Sequence, residues 1–300
     1  MPKQTTKYLR RLLSLMVICA VVTTLLPASS IHSNETIDVF VPQQTNDTTV
    51  KKKAKKQPSP NRSGKQNENR KKNQPPKRAV KVSWVKLQQQ YPGAFMMSGS
   101  RSQKKVALTF DDVPDPRYTP AVLDILAKHH IRATFFVVGD RASKHPALVR
   151  RIKNEGHIIG NHSYNHAIFS KLTNAQFQKQ ILQTNRVIKN ISGLSPRLIR
   201  PPYGDLLPQQ VVWGKQNGYT IVNWDVDSED WKKNPSSDVV MSNINRTLQP
   251  GSIILQHAGG GVGQSLSGTI EALPILIEEL QEKGYELVTL PELLGKRAYR

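Results

Sequence analysis

The chain has 300 residues and a formal net charge of +21, with 37% hydrophobic residues and a single cysteine, Cys19. One cysteine excludes an intrachain disulfide or a metal site built on two thiolates, and a chain of this size can bury enough core to do without either. Residues 51–80 hold twelve of the 43 Lys and Arg against one acid, so the extreme charge belongs mainly to a segment with too few apolar residues to form a core.

In chain order, Lys3, Lys7, Arg10 and Arg11 precede an apolar run from Leu12 to Leu26, and Pro27-Ala28-Ser29-Ser30 follows with small residues. This reads as an export signal over residues 1–30, cleaved after Ser30 or kept as an anchor. Fifteen apolar residues are short for a membrane span. Residues 31–80 predict a disordered basic linker, rich in Asn, Gln, Ser, Lys and Pro. Its run from Lys51 to Lys56 has no interleaved aromatics to stack on bases, which argues against nucleic acid. It suits an anionic wall polymer or a membrane surface, or serves only as a solvated spacer. The expected location is extracellular or wall-associated.

A lead-in over residues 81–103 precedes alternating strand and helix signals. Val106–Phe110, Ala133–Val138 and His157–Gly160 read as short buried strands, with helices over Thr119–His130 and Pro146–Asn154 between them. Thr173 and Gln176 have capping-box spacing ahead of a long helix that carries Phe177, Ile181, Leu182, Val187 and Ile188 and ends at Gly193. Further strands are expected at Tyr219–Asn223, Ser252–Gln256 and Glu286–Thr289. Helices are expected near Pro208–Asn217, Ser236–Leu248 and Gly268–Lys283. Alternation of this kind implies an α/β fold with a parallel sheet of about seven strands, either a barrel or an open sheet. Functional groups then belong at the carboxyl ends of the strands.

Five clusters fall there. Asp111-Asp112 ends the first firm strand; adjacent carboxylates on an extended chain point apart, so one can hold a metal while the other moves protons. His162 and His166, four residues apart, can converge on one ion. With Asp112 they form a two-histidine, one-carboxylate set that leaves positions open for water and substrate. Arg200-Pro201-Pro202-Tyr203-Gly204 fixes its backbone with two prolines and can hold a donor where charge develops. Asp227-Ser228-Glu229-Asp230-Trp231 supplies further carboxylates. Leu255-Gln256-His257, ahead of Gly259-Gly260-Gly261, offers a histidine for proton transfer.

Order and spacing of these clusters resemble the polysaccharide deacetylase family, also known as the NodB-homology domain or carbohydrate esterase family 4, over residues 104–294; residues 295–300 form a basic tail. The resemblance implies a distorted (β/α) barrel, usually seven-stranded, and a divalent metal, zinc or cobalt. It implies Asp112, His162 and His166 as metal ligands, Asp111 as catalytic base and Arg200 as the residue that orients it. The Tyr203 N–H corresponds to an oxyanion donor. Asp230 matches the partner of the acid His257, Trp231 and Leu255 resemble the walls of the acetyl pocket, and Pro202 and Tyr203 are implied to bind substrate. The implied substrate is an acetylated amino-sugar polymer. Export and the basic linker favour N-acetylglucosamine of peptidoglycan over chitooligomers, an O-acetyl ester of xylan or N-acetylmuramic acid. A wall-binding protein without activity would have lost one of these groups. The family usually has glycine where this chain has Val113. A β-branched residue disfavours positive φ and would narrow the space beside the aspartates.

Overall fold

The structure is a computed structural model and describes residues 82–300; the expected export segment and basic linker lie outside the described residues. Among the described residues nine strands form one sheet, and every ladder in it is parallel. They are β1 (Phe95–Met96), β2 (Lys105–Val113), β3 (Thr134–Val137), β4 (Ile158–Asn161), β5 (Leu198–Ile199), β6 (Thr220–Val222), β7 (Val226–Asp227), β8 (Ile253–His257) and β9 (Glu286–Leu287). The order is β1-β6-β5-β4-β3-β2-β8-β7, with β9 paired to the start of β2. Helices α1 (Trp84–Gln90), α2 (Thr119–Lys128), α3 (Gly139–Lys144), α4 (Pro146–Asn154), α5 (Asn174–Ser192), α6 (Pro208–Gln216), α7 (Ser237–Thr247), α8 (Ser267–Glu282) and α9 (Leu290–Leu294) surround it. The expected strands and helices are all present, their ends shifted by no more than three residues. The curled parallel sheet with its outer helices is the expected (β/α) barrel.

Side chains of β2 alternate between two cores, as successive residues of a strand must. Val106, Leu108 and Phe110 face outward into the apolar layer beneath α2, α4, α7 and α8. Ala107 faces inward, where it meets Phe136, Leu198, Val222 and Ile253, with Leu290 and Leu294 of α9 at the same end. Thr109 and Asp111 continue this inner row and are also buried. The barrel interior is thus apolar where the strands begin and polar where they end.

Two elements come from the lead-in. Ser83 caps α1 through its side chain, and β1 pairs with β6 through Phe95↔Ile221 and Met96↔Val222. Leu87 and Phe95 are fully buried. On α5 the capping box of Thr173 and Gln176 is formed and Gly193 closes the helix at φ +76°. Leu182, among the apolar residues of this helix, is 48% exposed. It follows the buried Ile181, and one residue turns the helix by about 100°.

Candidate active site

A cavity of about 460 Å³ opens at the carboxyl ends of the strands. Asp111, Asp112, His162, His166, Tyr203, Trp231, Leu255 and His257 all line it. Arg200 and Asp230 lie buried behind it and touch it through Asp111 and His257. Pro202, expected among the substrate-binding residues, is buried and is not among the residues that line the cavity. It shapes the turn that carries Tyr203.

Both aspartates of β2 reach the cavity, contrary to the expectation that neighbours on an extended chain diverge. Asp112 is not extended: its φ is +65°, and the register of β2 against β3 shifts between Phe110 and Val113. An irregularity of this kind re-aims a side chain beside a site. Arg141 holds the turn, its Nη1 donating to the Asp112 carbonyl at 2.9 Å. The positive φ falls on Asp112 and not on Val113. Val113 packs fully buried in the outer apolar core, so it narrows nothing beside the aspartates.

Three groups meet at Asp112 Oδ1. His166 Nε2 is 3.1 Å away and His162 Nε2 is 3.6 Å away. One donor atom each from Asp112, His162 and His166 lies within 4.8 Å of the others. Ligands bound at 2.0–2.2 Å around one tetrahedral ion stand about 3.4 Å apart, so these residues fit a divalent metal. Two further observations agree. Asp112 Oδ1 is buried without a hydrogen-bond partner. His162 Nδ1 lies 2.7 Å from the Arg200 carbonyl, which only accepts, so Nδ1 carries the proton and Nε2 presents its lone pair. Burial pushes the His162 pKa down to about 3, with the charge of His166 acting the same way. The ring is therefore neutral, as a ligand must be.

Asp111 stands beside this set. Its Oδ1 accepts from Arg200 Nη1 at 2.9 Å, and its Oδ2 is 3.6 Å from His162 Nε2. Arg200 is fully buried and its fork is filled: Nη1 also donates to Thr109 Oγ1 at 2.8 Å and Nε to the Val222 carbonyl at 3.2 Å. Its guanidinium lies 4.2 Å above the Phe136 ring. Burial raises the Asp111 pKa, and Arg200 only partly offsets it. A raised carboxylate pKa makes a stronger base.

His257 faces Asp111 across the β2–β8 ladder, where the two are register partners. Its Nδ1 lies 2.7 Å from Asp230 Oδ1, and its backbone N–H donates to Asp230 Oδ2 at 2.8 Å. Thr269 donates to the same Oδ2 at 2.8 Å. Burial opposes a charge on the ring, but Asp230 outweighs it and lifts the His257 pKa to about 9. Nδ1 is occupied, so Nε2 is the nitrogen left for the cavity.

Tyr203 has φ +59° and its ring meets His166 edge-on at 4.7 Å. Prolines 201 and 202 lack an N–H, so Tyr203 carries the first amide donor after Arg200. Three lining residues escaped the sequence reading, Arg141, Trp224 and Gln264, while Asp227 and Gly261 lie in clusters singled out there without a role of their own. Asp227 belongs to the acidic cluster noted in the sequence, and here it accepts from both indoles, Trp224 Nε1 at 3.1 Å and Trp231 Nε1 at 3.3 Å. Trp84 of α1 supports the Tyr203 turn by donating to the Gly204 carbonyl at 3.0 Å. A Cβ at Gly204 would stand 2.2 Å from Trp84 Cζ2.

Residues 98–222 match the polysaccharide deacetylase family. A peptidoglycan-N-acetylglucosamine deacetylase of Bacillus cereus is 41% identical over 211 residues, 70% of this chain and 76% of that protein. A chitooligosaccharide deacetylase of Bradyrhizobium is 37% identical over 206 residues, 66% of this chain and 92% of its own length. A solved peptidoglycan N-acetylglucosamine deacetylase, in complex with 4-naphthalen-1-yl-N-oxidanyl-benzamide, superposes with a TM-score of 0.69 at 40% identity. The match covers 74% of this chain and all of that one. The sequence match and shared barrel, with five motifs gathered at one mouth, make this chain a member of the polysaccharide deacetylase family.

Proposed function

We propose that the chain is a metal-dependent hydrolase that removes N-acetyl groups from peptidoglycan N-acetylglucosamine and releases acetate. The observation that carries this reading is the meeting of Asp112, His162 and His166 beside Asp111, in the cavity that His257 also lines. Asp112, His162 and His166 would hold the metal, which when bound supplies Lewis-acid polarisation of the acyl oxygen and a more acidic water. Asp111 takes the proton of the attacking water, oriented by Arg200. The Tyr203 N–H donates to the developing oxyanion. His257, protonated through Asp230, gives its proton to the departing nitrogen, which an amide needs because its anion is a poor leaving group. Trp231 and Leu255 wall the acetyl methyl.

The peptidoglycan substrate is favoured by the B. cereus relative; the Bradyrhizobium relative keeps chitooligomers as the second reading. Export to the wall belongs to the same proposal and rests on residues 1–30. The test is mass analysis of glycan fragments after incubation with the purified protein, with zinc or cobalt and after chelation. Acetate loss from glucosamine residues, abolished by chelation and restored by metal, is the expected result. Modified muramic acid or chitooligomers alone would reassign the substrate. Metal-bound protein that releases no acetate from any of them defeats the enzyme reading.

A further inference from the structure

A second cavity, of about 350 Å³, lies at the opposite end of the barrel, where the chain enters β1, β5 and β6. Arg197, Lys215 and Lys296 line it, with no acidic side chain among the lining residues. Among the described residues none of the three cations has a carboxylate at ion-pair distance, and Arg197 Nε is buried without a hydrogen-bond partner. The charged ends sit close against backbone. Arg197 Nη2 lies 3.1 Å from where a Cβ of Gly218 would stand, and Lys296 Nζ lies 3.0 Å from that of Gly93. Both glycines have φ near +70°, at +68° and +71°. Three cations at one concavity, none of them paired with a carboxylate, make a positive patch that draws an anion. The flat guanidinium fork favours an oxyanion with several oxygens, phosphate above all.

We propose that this cavity binds the phosphodiester of a soluble polyol-phosphate polymer. A polymer is favoured over a membrane by the lining itself. The large exposed apolar side chains Val85, Leu182, Val239, Val262 and Ile275 all lie elsewhere, so nothing here would insert into a bilayer. The cavity is at the amino ends of the strands and the catalytic mouth at their carboxyl ends, so a polymer held at one end leaves the other free for glycan. This inference stands whichever sugar the mouth deacetylates.

The test is thermal melting of the full chain at matched ionic strength in chloride, in inorganic phosphate and with a glycerol-phosphate oligomer. A ligand that binds only the folded state raises Tm. Phosphate and the oligomer should each raise Tm by a few degrees. The Lys215→Gln/Lys296→Gln double variant and the Arg197→Gln variant should lose that increment. Acetate release from a soluble oligosaccharide should not change in the lysine variant. Lys215 is exposed, so the lysine variant carries the test even if Arg197→Gln fails to fold. An equal increment in wild type and variants, or none in wild type, overturns the proposal. Protection by phosphatidylglycerol vesicles without protection by the oligomer overturns the polymer assignment in favour of a lipid surface.

Discussion

Asp230 grips His257 through both carboxylate oxygens, and that grip sets how the ring titrates. A histidine with a raised pKa keeps its proton until the pH passes that value, so the acid form is complete below about 7 and lost through about 9. The alkaline limb of kcat/KM should therefore fall near pH 9. Asp230→Asn should draw it down toward the ordinary histidine range, and an unmoved limb would mean the charge comes from elsewhere. Asp111 is the natural rival to Asp112 as a ligand, because its Oδ2 is also 3.6 Å from His162 Nε2. Asp111→Asn should reduce turnover by about 100-fold or more, the usual worth of a general base, with zinc affinity by calorimetry nearly unchanged. Loss of zinc in that variant would exchange the two aspartates. His157, far from this chemistry along β4, behaves in the opposite sense. Burial lowers its pKa to about 4, and its Nδ1 accepts from the Ala133 N–H at 3.2 Å. The neutral ring's contribution is whole above about 6.5 and is lost as pH falls toward 4, about 3 kcal/mol in all. Melting curves from pH 7 to 4.5 should fall less steeply for His157→Gln than for wild type; parallel declines would rule this out.

At the scale of elements, α1 and β1 support the site although they precede the first motif. A chain that starts at residue 104 loses one of the two partners of β6, the buried Leu87 and Phe95, and the Trp84 bond to Gly204. Burial of the two apolar side chains alone is worth about 5 kcal/mol. Circular dichroism should show no cooperative melting for that chain, while one starting at residue 82 should melt like the full chain. Equal melting of all three would make the lead-in dispensable. The lead-in was hard to read because β1 is two residues long, too short for a period, and α1 buries only Leu87. Most other strands and helices were legible because Val106–Phe110 of β2, β3 and the start of β8 are apolar and α5 carries a complete capping box, whereas β7, α3 and α9 are too short to show a period. The site clusters were legible for a related reason: each falls at or just past the end of a strand, so the fold rule and the residue chemistry point to the same places. Arg141 was not, since an arginine in a short helix after β3 announces nothing until its guanidinium is seen on the Asp112 carbonyl. Likewise, the convergence of Asp111 and Asp112 depends on one left-handed residue that the sequence does not mark.

At the scale of the molecule, the barrel interior grades from Ala107, Phe136 and Leu290 to Thr109, Arg200 and Asp111, and then to the catalytic mouth. Around that mouth Asp112, Ser163, His166 and Tyr203 all adopt φ between 59° and 66°. This backbone region costs about 1–2 kcal/mol for residues other than glycine. Ser163 is neither a ligand nor a donor to the cavity, and its buried Oγ has no partner. Ser163→Gly should therefore stabilise the fold by about 1 kcal/mol in chemical denaturation, and a destabilised variant would show that the tension is not real. Tension at these four residues gives the active end a spring-like character: the stiff strands below hold its chain in shapes it would abandon if released. Selection for thermal endurance would gain most by relaxing this rim, and selection for catalysis would resist that change, so the rim is where the two demands compete.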